Sequence, residues 1–157
     1  MKILLIAIAK TDDKNLATLV AAYQKRIGHY CRFEFIVIPA NKKWSKLSQV
    51  EQKEAEGSAL LELIDPADRL ILLDEKGKEF SSEGFAQFIQ KQLNSGIKQI
   101  VFAIGGPYGF SDEVYSRAQH KMALSRLTFS HQMVRLFFAE QLYRAFTILR
   151  NEPYHHR

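Results

Sequence analysis

Cysteine is almost absent from this chain. Cys31 stands alone among 157 residues, which excludes an internal disulfide framework and suits a reducing compartment. Metal-ligand spacing is missing as well: the five histidines (His29, His120, His131, His155, His156) form no paired zinc pattern with each other or with Cys31. No apolar run approaches the roughly 18 residues of a membrane span. The opening "KILLIAIA" imitates a clipped secretory signal, complete with Ala7-Ile8-Ala9 as a mock cleavage site. A signal needs roughly 15–30 residues, and here polar residues begin at Lys10. The segment reads as a first strand, and a cytoplasmic protein without a membrane partner is expected. Linkers, repeats and low-complexity tracts are also lacking, so 1–157 is expected to be a single domain, large enough for one real core. An acidic excess is lacking too. The 22 Lys+Arg against 17 Asp+Glu give a net charge of +5 and a pI near 9.3, which fits a polyanionic partner without requiring one.

What is present alternates. Continuous apolar runs occur at 3–9, 33–38, 70–73 and 100–104, with a less clean one at 122–129. Runs that do not alternate apolar with polar suit strands buried on both faces, as in parallel sheets. Between them lie segments of helical length at 14–27, 48–63, 82–93, 112–119 and 131–150. Strand and helix in alternation predict a three-layer α/β domain around a parallel sheet. In "EGFAQFIQKQL", Phe85, Phe88, Ile89 and Leu93 share one helical face, and Asn94-Ser95-Gly96 supplies residues tolerant of a left-handed stop. The basic loop "ANKKWSKLS" carries the only tryptophan, Trp44, which reads as a cover for the core edge ahead of a base-stacking platform. The last helix, "HQMVRLFFAEQLYRAFTIL", is apolar around most of its circumference, which predicts deep burial or contact with a second subunit.

Three loops are expected to meet beyond the carboxyl ends of the strands, where open α/β sheets bind ligands. They follow strands ending near Asp74, Gly105 and Phe129, and Gly77 is read as part of the first turn. The second loop, within "VFAIGGPYGFS", lacks the G-x-G-x-x-G of dinucleotide sites and the G-K-[ST] of phosphate loops. Pro107 also removes an amide that a phosphate cradle would use. Two readings stand: a turn that needs positive φ, or backbone held close to a ligand of few charges.

"LLDEKGK", "FAIGGPYGFS", "LSRLTFSHQMVRLFFAEQLYRAF" and "PYHHR" together resemble the ribosomal RNA large subunit methyltransferase H family, of the SPOUT class. The resemblance spans nearly the whole chain. Ser130 stands where a proline commonly precedes the histidine, and His155-His156-Arg157 stands where one histidine plus a basic residue is usual. The resemblance implies a C-terminal trefoil knot and S-adenosylmethionine as cofactor without a metal, and the apolar final helix adds the expectation of a homodimer. It implies methylation of N3 of a pseudouridine in 23S rRNA on the assembled ribosome. By position it assigns cofactor binding to Leu73, Gly105 and the stretch Leu124, Ser125, Arg126, Leu127, Thr128 and Phe129. Tyr154, His155 and Arg144 become the candidates for chemistry on the RNA: His155 has a suitable ordinary pKa for a base. Arg144 could equally be a helix pair with Glu140, four residues earlier. His131 reads as a capping or packing residue. Rival readings are an NAD-linked oxidoreductase, which lacks its glycine fingerprint, a non-catalytic RNA-binding module, and a SPOUT enzyme acting on tRNA.

Overall fold

In the computed structural model, which describes residues 1–156, the apolar runs become five strands. These are β1 (Lys2–Ile8), β2 (Arg32–Ile38), β3 (Arg69–Glu79), β4 (Gln99–Ile104) and β5 (His120–Ala123). All pairings are parallel, in the order β2-β1-β4-β3-β5. The helices are α1 (Lys14–Ile27), α2 (Gln49–Leu61), α3 (Ser82–Leu93), α4 (Asp112–Arg117) and α5 (His131–Leu149). The continuity of the first run has a direct cause. Ile3, Leu5 and Ala7 of β1 point into a core shared with α1, α3 and α5, whereas Leu4, Ile6 and Ile8 point into a second core shared with α2 and α4. A strand covered on both sides has no position for a polar residue. The result is the expected three-layer α/β arrangement.

Short polar side chains start the helices. Asp13, Ser48, Ser81, Ser111 and Ser130 each accept a hydrogen bond from a first-turn N–H, and Ser48 completes a capping box with Glu51. Each cap is worth about 1 kcal/mol. Trp44 opens a single 3₁₀ turn and packs, half-buried, against the α2-side core, as its loop context suggested.

Three local expectations are corrected. The run at 122–129 is not one strand: β5 ends at Ala123, and 124–130 forms the loop itself. β5 is the sheet edge, and no further strand pairs with an extension of it. Gly77 lies in no turn either, because β3 runs on to Glu79. Leu73 and Lys78 both lie opposite Met122, so residues 74–77 bulge out before the chain rejoins β5. A Cβ on Gly77 would stand 2.5 Å from the Met122 backbone, so glycine is required there by close approach. The fourth helix also stops early. The Gln119 side chain accepts from the Leu70 N–H at 2.7 Å while its own N–H donates to the Leu70 carbonyl at 3.0 Å, pulling the chain into the sheet.

α5 packs between α1 and α3, where Phe138, Leu142, Ala145 and Phe146 are buried. Much of its apolar circumference is therefore core within one chain. Arg135 is also fully buried. Its guanidinium donates to the Ile8 carbonyl (2.8 Å), Thr11 Oγ1 (2.9 Å) and the His131 carbonyl (3.1 Å), tying α5 to the end of β1.

Candidate active site

The carboxyl ends of β3, β4 and β5 open onto a cavity of about 450 Å³. Leu73, Gly105, Leu124, Ser125, Leu127, Thr128 and Phe129 all line it, as the sequence placed them. Arg126 does not: its side chain leaves the cavity for an exposed ion pair with Glu79 at 2.9 Å. His131 lines the rim, while the capping role belongs to Ser130.

The glycine loop divides its tasks. Gly105 has no positive φ; that role falls to Gly109, at φ +81°. Gly109 N–H donates to the Gly106 carbonyl at 3.1 Å and folds the loop back on itself. A Cβ on Gly105 would press on the Gly109 backbone at 3.3 Å. A Cβ on Gly106 would fall 2.2 Å from Glu56 Oε2, so α2 and the loop meet without room for a methyl group. The loop thus presents bare backbone to the cavity on one side and is pressed against a buried carboxylate on the other.

Glu56 was not singled out by sequence. Its only signal was a glutamate four residues before Leu60, on the buried face of α2. Oε1 accepts from Gln52 Nε2 at 2.8 Å, and Oε2 has no hydrogen-bond partner among the described residues. Burial pushes this carboxyl above the usual range, opposed by the Gln52 bond and the His131 charge. Asp74 was also passed over as a site residue. It accepts from the Tyr115 hydroxyl and, at 2.8 Å, from the Lys76 N–H, which braces the bulge in β3. Burial, followed by this carboxylate, raises the Tyr115 phenol pKa, so Tyr115 stays a donor.

The lining has a definite chemistry. Asp74 and Glu75 put carboxylates on one wall; Leu73, Leu124, Phe129 and Val134 supply an apolar one; the glycine loop adds backbone groups. Lys76 is the only Lys or Arg in the lining, so a triphosphate is poorly served. A ligand with a cationic centre and a flat apolar ring fits.

Arg144, Tyr154 and His155 come together, but elsewhere; none of them lines the cavity. Arg144 pairs with Glu140 through Nη2 (2.5 Å) and Nε (3.1 Å), and its guanidinium lies 4.8 Å from the centre of the Tyr154 ring. Tyr154 donates to Glu140 Oε1 at 3.0 Å, and its hydroxyl lies 3.3 Å from that of Tyr23. Burial and then these two bonds raise its pKa. His155 Nδ1 lies 3.3 Å from Arg144 Nη1, and Nε2 lies 3.2 Å from Glu83 Oε1. A guanidinium only donates, so in this arrangement Nδ1 accepts and Nε2 carries the proton towards Glu83. Arg157 lies outside the described residues.

A family model described as Predicted SPOUT methyltransferase matches residues 1–155. The chain belongs to the SPOUT methyltransferase family. Among curated proteins it is 57% identical over 157 residues to a ribosomal RNA large subunit methyltransferase H of Christiangramia forsetii. It is 59% identical over 157 residues to proteins of the same name from Flavobacterium johnsoniae and Flavobacterium psychrophilum. In all three cases the whole of both chains is covered.

A SPOUT methyltransferase needs a methyl donor, and the cavity at the strand ends fits one. Enzymatic membership also removes the oxidoreductase and the non-catalytic module as readings. Among the described residues, no group of His, Cys, Asp and Glu could hold a metal ion, and no helix is long and apolar enough to cross a membrane. An apolar collar of exposed side chains continues from Leu127 and Phe129 in the cavity lining onto α5. Leu127 is 72% exposed, Met133 and Phe137 are each 37% exposed, and the Phe129 and Phe137 rings lie 4.8 Å apart.

Proposed function

We propose that this protein transfers the methyl group of S-adenosylmethionine to N3 of a pseudouridine in 23S rRNA on the assembled ribosome. The observation that carries the reading is the cavity of bare backbone and apolar side chains at the strand ends, in a chain alike over its full length to proteins named ribosomal RNA large subunit methyltransferase H. Leu73, Gly105 and residues 124–129 hold the donor, with the Arg126 backbone taking part while its side chain stays with Glu79. Bound there, S-adenosylmethionine supplies an electrophilic sulfonium methyl. The chain must align the base with that methyl and accept the N3 proton. His155 is the group suited to take the proton, at Nδ1 once the bound base draws Arg144 away from that nitrogen. Tyr154, held protonated, and Arg144 act as donors that orient the base.

These groups lie apart from the cavity of their own chain, so we assign the complete site to a homodimer in which the "PYHHR" tail of one subunit faces the cofactor of the other. The apolar collar supports this: it adjoins the cavity, and isologous pairing would cover it. We also propose that the C-terminal segment is threaded as a trefoil knot, a reading supported by the match of residues 1–155 to the SPOUT methyltransferase family.

The test mixes two inactive variants, Gly105→Val and Tyr154→Ala/His155→Ala, and allows subunit exchange. Gly105→Val is expected to lose S-adenosylmethionine affinity by calorimetry. The mixed dimer retains one intact cavity faced by one intact tail, so ribosome methylation should return in part. No recovery in demonstrated mixed dimers refutes the shared site. Methylation of tRNA in place of assembled ribosomes, preference for NAD, or inactivation of the wild type by a chelator refutes the wider reading.

A further inference from the structure

On the far side of Met122 from the cofactor cavity, a second cavity of about 570 Å³ lies between the sheet edge and α3. Its lining includes Arg69, Lys78, Lys91, His120 and Lys121, and no carboxylate. None of the four Lys and Arg side chains forms a salt bridge with a described residue. Arg69 Nη1 donates to Gln92 Oε1 at 2.6 Å, and Lys78 rests over the ring of Phe80 at 5.1 Å, whereas the ammonium of Lys121 turns to the other face of the sheet, over Tyr115 of α4 at 5.4 Å. His120 meets Phe88 edge-on at 5.5 Å, and after burial it is the charges of Arg69 and Lys91 that depress its pKa. Cations gathered without counter-charges repel one another, so their grouping contributes nothing to the fold by itself.

We propose that this groove is a second RNA-binding site, which holds the phosphodiester backbone of the substrate outside the cavity where methyl transfer occurs. The proposal rests on the rRNA reading above. Lys78 shares the register level of Leu73, four strand steps beyond Arg69, or about 13 Å at about 3.3 Å per residue. That length suits a run of phosphates better than one small anion. Phe80 and Phe88, both half-buried in the same wall, offer ring surface on which an unpaired base can stack. Because Met122 lines both cavities, RNA held here lies next to the site that receives the target base. A domain this small has few other surfaces with which to choose its substrate.

The test uses Lys78→Glu/Lys91→Glu, two exposed positions, with Lys78→Arg/Lys91→Arg as the charge-preserving control. Fluorescence anisotropy with a labelled single-stranded RNA decamer reads the groove directly, and the KM for assembled ribosomes reads it in the reaction. The glutamate variant should bind the decamer about tenfold more weakly, with a log K against log salt slope shallower by about 1.4, two phosphates at about 0.7 each. Its KM for ribosomes should rise, and the arginine variant should match the wild type in both assays. All forms should bind S-adenosylmethionine equally, which shows the fold and the first cavity intact. Unchanged decamer affinity and salt slope in the glutamate variant, or equal losses in the arginine variant, overturn the proposal. If wild-type protein fails to methylate ribosomes, the rRNA reading falls, while the decamer measurement still decides the groove.

Discussion

Gly77→Ala should be among the most damaging single-methyl changes in this protein. The new Cβ would lie 2.5 Å from both N and C of Met122 and 2.6 Å from its Cα, where ordinary contact begins near 3.4 Å. All three atoms are backbone in a paired strand, so no side-chain rotation relieves the overlap; β3 and β5 must separate by nearly an ångström. Overpacking a well-filled interior costs about 1–3 kcal/mol, and a backbone-on-backbone clash belongs at the upper end. Loss of glycine's freedom in the unfolded chain offsets about 0.4–1 kcal/mol. The net expectation is about 2 kcal/mol, or about 4–8 °C in Tm for a domain of this size. Gly84→Ala is the control, since its Cβ would meet the end of a side chain, Ser81 Oγ at 3.2 Å, and the Phe80 side chain at an ordinary 3.8 Å, and should be nearly neutral. Urea unfolding of both variants, with S-adenosylmethionine calorimetry on each, makes the comparison. Because Met122 lines the cavity proposed to hold the donor, Gly77→Ala should weaken binding as well. A Gly77→Ala protein within 0.5 kcal/mol of Gly84→Ala would refute the close-approach argument, given the spread of ordinary surface substitutions.

The remaining predictions concern two buried charges. Glu56 has its pKa raised by burial, so the folded state holds a proton that the unfolded state has released, and stability falls as pH rises from the ordinary glutamate value through the folded one. Glu56→Gln should therefore be more stable than wild type at neutral pH, equal to it in acid, and flatter between; a less stable variant at pH 7 would contradict this. Arg135→Lys replaces three fixed donors with one ammonium that cannot reach the Ile8 carbonyl, Thr11 Oγ1 and the His131 carbonyl together. The buried acceptors left bare should cost about 2–4 kcal/mol in urea unfolding, and a loss below 0.5 kcal/mol would show that water replaces the guanidinium.

Much of this protein is legible in its residue order. Unbroken apolar runs at β1 and β4 require cover on both faces, and α1, α3 and α5 start where the pattern predicts, behind caps at Asp13, Ser81 and Ser130 that the structure supplies. These features are local: a strand face or a first helical turn is decided by neighbours within a few residues. The glycine loop was legible as a break after a buried strand, with a turn and a ligand-facing backbone both open as readings.

Tertiary structure decided what depends on distant segments. That Gly77 is needed for the approach of Met122, and Gly106 for that of Glu56, follows from pairs of segments dozens of residues apart. No local pattern distinguishes a glycine that turns the chain from one that makes room. The continuation of β3 past its bulge likewise depends on β5, which lies later in the chain. The basic groove is the plainest case. Arg69, Lys78 and Lys91 lie apart in the sequence with nothing to link them, and only the parallel pairing of β3 with β5 beside α3 brings them around one cavity.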